Sequence, residues 1–302
     1  MIEQKAIVTD IKRFSLNDGR GIRTCVFLQG CNMHCAWCHN PETISASKSL
    51  LYNSDRCIGC MRCISACKYG AHMVVDGRHV IDREKCTLCG ACVYECATGA
   101  LEMSGREMSV SEVMREVLQD KEYYSTSNGG VTVTGGEVLC NTEFATALAR
   151  ACHENGISVA IETNLSFPYD RIKKLIDSVD DIMCDLKIFD EEAHIAHTGH
   201  GNAMVKENIR RLSAEGRTFT VRTPLIPRAT DSDENIRAIG EFLAKLKGIE
   251  RWELLNFNPL GASKYAGLSI ENRYACEIPL TKSRCEELCS IAKGYVKDVR
   301  VV

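Results

Sequence analysis

From about residue 109 onward the chain repeats one unit, a short apolar stretch alternating with a longer segment of helical periodicity. Nothing else in the sequence restricts its fold as much. The apolar stretches at 130–134, 158–162, 181–186, 219–223 and 252–257 read as strands. Segments 111–124, 142–155, 169–178, 205–215 and 234–247 read as helices, the first opened by a Ser109-x-x-Glu112 capping box. One more strand at 24–29 makes six. Strands separated by helices of this length cannot close as hairpins and form parallel βαβ units instead. The predicted fold class is therefore α/β, a partial (β/α)6 TIM-like barrel. The 302 residues suffice for such a barrel with a small module added.

Eighteen cysteines need an explanation. Disulfide-dense chains are usually small and secreted, whereas this one is long and has no apolar leader at its start. Eleven of the cysteines fall into three compact groups with gaps of two or three residues, a metal-binding pattern. The first group, Cys31-x3-Cys35-x2-Cys38, follows the strand at 24–29. A 4Fe–4S cluster normally takes four thiolates, so three with no fourth nearby leave one iron open to a ligand. This spacing resembles that of the radical SAM superfamily, in which S-adenosylmethionine (SAM) chelates the open iron.

Two further runs are copies at an offset of 29 residues, Cys57, Cys60, Cys63, Cys67 and Cys86, Cys89, Cys92, Cys96, both C-x2-C-x2-C-x3-C. Each leads through a Gly-Ala step into a short strand, at 72–75 and 101–103. They resemble a bacterial two-cluster ferredoxin, in which the fourth Cys of each run ligates the other cluster. Carried over, Cys57, Cys60, Cys63 and Cys96 hold one cluster, and Cys86, Cys89, Cys92 and Cys67 the other. The proline that usually follows the fourth Cys is replaced by Lys68 and Ala97. The expected organisation is a barrel of residues 1–50 and 106–302 with a ferredoxin-like insert at 51–105.

Chemistry in β/α barrels sits at the C-terminal ends of the strands, and the polar groups fall there. They are the Cys31 loop, Gly135-Gly136-Glu137, Glu162-Thr163-Asn164, Asp185-Leu186-Lys187, Arg222 and Asn256-Phe257-Asn258. Glycine lets the main chain approach a ligand closely, and a carboxylate pairs with an ammonium group. Asp185 and Lys187, two apart, face one side of a strand. His194, His197 and His200 invite a zinc reading, which Thr198-Gly199 disfavours by ending the helix between them. Cys25, Cys152, Cys285 and Cys289 read as packing residues.

Together these segments resemble the glycyl-radical-enzyme activating enzymes over nearly the whole chain. The likeness begins at Asp18-Gly-Arg-Gly-Ile-Arg23, continues through the three-Cys loop and His39-Asn40-Pro41, and resumes with Gly135-Gly136-Glu137, Thr163-Asn164 and Asp185-Leu186-Lys187. It ends with His194, Thr198-Gly199 and Arg222-x-Pro224-x-x-Pro227. The insert resembles that of the larger branch. The resemblance implies that Trp37, Cys38 and His39 contact the adenine side of SAM and that Gly135, Gly136 and Glu137 receive its amine. It implies that Asn164, Asp185, Leu186, Lys187, Arg222 and Asn258 line the rest of that pocket. Shorter members have His where Asn258 stands. A monovalent cation is implied at Glu162, Thr163, Met183 and Asp185, and a contact of Asp18 with the partner's glycyl loop.

The implied activity is that of a radical SAM oxidoreductase: reductive cleavage of SAM, then abstraction of hydrogen from a backbone glycine of a large partner enzyme by the 5′-deoxyadenosyl radical. Three 4Fe–4S clusters, SAM and a flavodoxin or ferredoxin donor follow, in an anaerobic, cytoplasmic, monomeric protein. The net charge of −3 and the lack of a membrane-length apolar run predict no nucleic-acid or membrane partner. Two alternatives remain open at this point: a radical SAM enzyme acting on a small molecule or peptide, and a pure electron carrier.

Overall fold

The computed structural model describes residues 3–302. One nine-stranded sheet organises it. Its strands are β1 (Lys5–Ser15), β2 (Arg23–Leu28), β3 (Arg106–Ser109), β4 (Gly130–Gly135), β5 (Ser158–Thr163), β6 (Asp181–Asp185), β7 (Phe219–Leu225), β8 (Ile249–Asn256) and β9 (Val299–Val301). The order across the sheet is β9-β8-β7-β6-β5-β4-β2-β1-β3. All pairs from β2 to β9 are parallel. β1 and β3 add antiparallel on the free side of β2. The terminal strands β3 and β9 do not pair, so the six βα units from β2 to β8 form an open barrel.

The parallel strands are buried almost without alternation, as in β4, where five of six residues are buried; this is the pattern of a sheet covered on both faces. Helices α1 (Val110–Val117), α2 (Lys121–Ser127), α3 (Thr142–Glu154), α4 (Tyr169–Ile176), α5 (Glu191–Thr198), α6 (Ala203–Ala214), α7 (Asp233–Leu243), α8 (Ala262–Leu268) and α9 (Lys282–Lys293) complete the barrel. The Ser109 capping box forms, with Glu112 reaching back to the Ser109 amide at 2.8 Å. The single helix predicted at 111–124 is instead broken between α1 and α2 by a 3-10 turn at Leu118–Asp120. The cause is Asp120, buried against the sheet, where it accepts from Arg13 Nε at 2.8 Å and Thr24 Oγ1 at 2.9 Å.

The N-terminal end of the barrel is closed by the loop at 16–22. Arg20 pairs with Glu250 at 2.6 Å, and the Asp18 carbonyl accepts from Thr132 Oγ1 at 2.6 Å. Gly21 has φ +69°, and a Cβ there would lie 2.4 Å from the Ser127 carbonyl, so this turn admits only glycine. Beneath it Arg23 is wholly buried and donates to Thr132 Oγ1 at 2.7 Å and the Val131 carbonyl at 2.5 Å. The insert leaves after β2. Its strands Leu50–Tyr52 and Leu101–Met103 pair antiparallel, and His72–Val75 with Arg78–Ile81 makes a second hairpin. Arg83 ties it to α8 by donating to the Gly267 carbonyl at 2.7 Å. No helix of the described residues is long and apolar enough to cross a membrane.

Candidate active site

The loop carrying Cys31, Cys35 and Cys38 starts where β2 ends and is held almost entirely by main chain. Gly30 and Cys31 donate to the Thr43 and Ile44 carbonyls at 2.8 and 3.0 Å, while His34 and Ala36 donate to Thr198 and His197 at 2.8 and 2.9 Å. The C-terminal turn of α5 therefore clamps the loop. From the other side the buried Gln29 amide donates to the carbonyls of Glu42, Ser45 and Ser47 at 2.7–3.0 Å. Tyr265 of α8 donates to the Cys38 carbonyl at 2.9 Å, and Lys264 reaches Asn40 and Glu42 at 2.6 and 2.5 Å. Trp37 packs against His197, Tyr274, Ile226 and Phe257, with ring separations of 5.8 Å to His197 and 6.0 Å to Tyr274.

Burial pushes all three thiols up from the ordinary cysteine range, Cys38 to about 12. Buried thiols become thiolates only where positive charge compensates them, and Lys187 supplies it to Cys35 and Cys38. Burial opposes the charge on Lys187, but Asp185, Cys35 and Cys31 outweigh it and raise its pKa. Lys187 Nζ donates to Asp185 Oδ2, so the pair meets beside the cysteine loop at the mouth of β6. None of the eighteen cysteines forms a disulfide. Three unpaired thiols in one loop, beside a compensating cation, fit an iron–sulfur cluster that keeps one position open.

Other residues expected around the ligand make bonds within the protein. Glu137 is buried and accepts from Thr163 Oγ1 at 2.6 Å, Asn164 N at 2.7 Å and Leu139 N at 3.0 Å. Its carboxyl ties β4 to β5, and burial raises its pKa to about 7. The Asn164 amide donates to Asn32 Oδ1 at 2.9 Å and accepts from Ser166 N at 2.9 Å, joining β5 to the cysteine loop. Arg222 is buried; its Nε donates to Glu253 at 2.8 Å, its Nη2 to the Asn17 carbonyl at 2.6 Å and its Nη1 to Glu162. Asn258 is exposed and accepts from Leu260 N at 3.0 Å, capping a turn. Glu137, Asn164 and Arg222 spend their polar groups on the protein, whereas Asn258 uses only its Oδ1 in this way.

The glycines differ in reason as well. Gly135 has φ +123°, and a Cβ at Gly136 would lie 2.4 Å from the Gly30 carbonyl and 2.7 Å from that of Thr43. It is the protein's own cysteine loop that requires the missing side chain. For the cation, Glu162 is held by Arg222 and Thr134, the Thr163 hydroxyl is given to Glu137, and Met183 lies opposite Glu162 on β6. The side-chain oxygens of Glu162 and Thr163 are engaged within the protein. Leu186 is buried, its amide bonded to the Arg222 carbonyl at 2.9 Å. His39 is exposed, with its carbonyl 3.2 Å from where a Cβ on Gly261 would stand.

Asp18 is half-buried and accepts from Ser15 Oγ and, at 3.3 Å, from Cys25 Sγ. Its charge raises the pKa values of Glu162 and Arg222, so it faces the barrel interior rather than standing apart from the pocket. The three histidines do not converge: His194 Nδ1 bonds the His200 carbonyl at 2.5 Å while the His197 ring lies tilted against Trp37. Cys285 and Cys289 pack in the core and Cys276 is exposed.

In the insert, Cys57, Cys60, Cys63 and Cys96 line one small cavity with Tyr52 and His79. Cys67, Cys86, Cys89 and Cys92 line another with Leu50 and His72. Each cavity takes three thiols from one run and the fourth from the other. Four thiols around apolar walls fit a 4Fe–4S cluster. The clamp by α5, the Lys264 and Tyr265 contacts and the histidines of the insert went unread in the sequence. The clamp and the α8 contacts join residues far apart in the chain and leave no local pattern, and the histidines meet only once their hairpin forms.

An open parallel barrel with a three-thiol loop at its C-terminal mouth defines a class. The model of the radical SAM superfamily matches residues 81–238, and that of the 4Fe-4S dicluster domain residues 56–100. A radical SAM methyltransferase from Sphaerobacter thermophilus shares the fold, with a TM-score of 0.56 at 15% identity over 98% of this chain and 76% of that one. The benzylsuccinate synthase activating enzyme of Thauera aromatica is 40% identical over 89% of this chain and 83% of its own length. The indoleacetate decarboxylase activating enzyme of Tractidigestivibacter scatoligenes is 35% identical over 96% and 95%. The chain belongs to the radical SAM superfamily and, within it, to the glycyl-radical-enzyme activating enzymes.

Proposed function

We propose that this protein installs a glycyl radical on a large partner enzyme, and that the observation carrying the reading is the Cys31, Cys35, Cys38 loop beside the Lys187–Asp185 pair at the barrel mouth. When bound there, a 4Fe–4S cluster supplies one electron to SAM, whose cleavage provides the 5′-deoxyadenosyl radical that removes hydrogen from a glycine of the partner. The residues of this chain place and enclose that chemistry. Lys187 offsets thiolate charge, and with Asp185 it offers a cation and an anion to the amino-acid end of SAM. The main chain of Trp37, Cys38 and His39 meets the adenine, and that of Gly135, Gly136 and Leu186 closes the opposite wall. Glu137, Asn164 and Arg222 keep the strand ends and the cysteine loop in register, and Asn258 shapes the rim. Asp18, inside the barrel, meets the glycyl loop.

Two more clusters complete the reading, one on Cys57, Cys60, Cys63 and Cys96 and one on Cys67, Cys86, Cys89 and Cys92, supported by the two four-thiol cavities. Held by the insert, residues 51–105, they would supply a path for an electron from a flavodoxin or ferredoxin to the barrel, residues 1–50 and 106–302. The setting is an anaerobic cytoplasm, and the protein acts as a monomer.

The test is anaerobic reconstitution followed by iron analysis and turnover. Three clusters give about twelve irons per chain, and Cys31, Cys35 and Cys38 changed together to Ala leave about eight. Reduced protein with SAM and a glycyl radical enzyme from the same genome gives a doublet EPR signal on that partner. About four irons in the parent protein would overturn the insert assignment. SAM cleavage that never marks a partner but consumes a metabolite would overturn the activation reading.

A further inference from the structure

In the insert, His72 and His79 stand on the two strands of one hairpin, each nine-tenths buried or more, on the wall between the two cavities. His79 lines the cavity of Cys57, Cys60, Cys63 and Cys96, and His72 the other. His72 Nδ1 is 2.8 Å from His79 Nε2, and the rings are parallel to within 9°. The same Nε2 is 3.5 Å from Cys63 Sγ. Tyr52 meets the His79 ring edge-on at 4.7 Å, and His79 Nδ1 is buried with no partner.

Two tautomers of His79 are available. With the proton on Nδ1, a buried N–H has no acceptor, a cost of about 1–3 kcal/mol, and Nε2 turns a lone pair toward sulfur. With the proton on Nε2, the N–H points between two acceptors, Cys63 Sγ and His72 Nδ1. A negatively charged, metal-bound Cys63 sulfur selects the second, because it gains from a donor and is repelled by a lone pair. An N–H donated to a ligating sulfur stabilises the added charge of the reduced cluster and raises its potential.

We propose that His79 is a positioning residue for electron relay. Its Nε2–H is shared between Cys63 and His72, raises the potential of the cluster on Cys57, Cys60, Cys63 and Cys96, and is moderated by His72, which competes for the proton. This rests on the ligand assignment proposed above, and iron content separates the two: low iron in the parent protein removes that assignment, whereas normal iron with unmoved potentials removes this one. Cys63, His72 and His79 also lie close enough to hold a single cation. A ligating Cys63 sulfur is not free for one.

The experiment is an EPR-monitored redox titration of the reconstituted protein without SAM. His79→Phe keeps a ring but no donor, and shifts the reduction equilibrium of one insert cluster about tenfold toward the oxidised form, about 59 mV for one electron. His79→Gln presents an N–H at the same place and restores the parent value. His72→Phe removes the competing acceptor and moves the same potential upward. Opposite signs at two touching residues are not a consequence of loosened packing. Potentials unmoved in His79→Phe, or shifts of one sign in both Phe variants, overturn the proposal. If His79→Phe loses iron, a potential in His72→Phe at or below that of His79→Gln overturns it. So does one equivalent of zinc retained by the fully clustered parent and lost in His72→Phe.

Discussion

Replacing Arg222 with Met tests whether the interior of this barrel is a ligand wall or a structural hub. The guanidinium is 6% exposed and bonds Glu253, Glu162 and the Asn17 carbonyl, so it joins β5, β7, β8 and the loop at 16–22. Met retains the apolar stem and removes every donor. Glu162 then keeps only Thr134, at 2.6 Å, and Glu253 only Arg251, at 3.3 Å. Removing one partner from a buried ion pair costs about 3–5 kcal/mol. At about 2–4 °C per kcal/mol, the melting temperature falls by about 6–20 °C. The assay is anaerobic thermal melting of the cluster-loaded protein, paired with SAM binding below the melting range. Arg222→Lys retains charge but cannot reach three acceptors from one ammonium, so its loss is intermediate. A melting temperature within about 2 °C of the parent's, with SAM affinity tenfold weaker or about 1.4 kcal/mol, would refute the hub and return Arg222 to the ligand.

Gly136→Ala sets a Cβ against two carbonyls of the cysteine loop, at 2.4 and 2.7 Å; iron analysis of this variant should show about eight irons, the loss falling on the Cys31 cluster. The Glu137 carboxyl, raised by burial from 4.5 to about 7, makes the folded state hold a proton that the unfolded chain releases. Its contribution is therefore complete below about pH 4.5 and is lost as pH rises toward 7, by about 3 kcal/mol. The melting temperature of the parent should fall across that window more steeply than that of Glu137→Gln, and parallel slopes would contradict the assignment. Replacing Cys57 and Cys86 should slow turnover with a protein donor yet leave SAM cleavage with a small chemical reductant. Equal loss with both would make the insert a folding element.

The parallel strands from β2 to β8 were legible because each is mainly apolar, and a run buried on both faces needs no partner to be recognised. Strands β1, β3 and β9 went unread: β3 and β9 are short edge strands, and β1 mixes polar with apolar residues in a pattern it shares with a loop. The predicted helix at 111–124 continued through Asp120 because periodicity carries no sign that a carboxylate will turn inward to Arg13 and Thr24. The site divides along the same line. Its eleven clustered cysteines and the Lys187–Asp185 pair could be found from spacing alone.

What the sequence alone marked is the pattern that short spacing encodes: a three-thiol loop, two four-thiol runs, and polar groups on or just after the parallel strands. Ligands within a few residues of one another are brought together by local backbone, whatever surrounds them. Only the tertiary structure decided which polar groups are free. Glu137, Asn164 and Arg222 look like ligand-facing residues in the chain, and they hold β4, β5, β7 and the cysteine loop together once folded. The same holds for Gly136, cleared for the Gly30 and Thr43 carbonyls, and for His72 and His79, which meet on a hairpin wall. A hydrogen bond is a property of two partners, and the second partner lies up to 230 residues away, between Arg20 and Glu250.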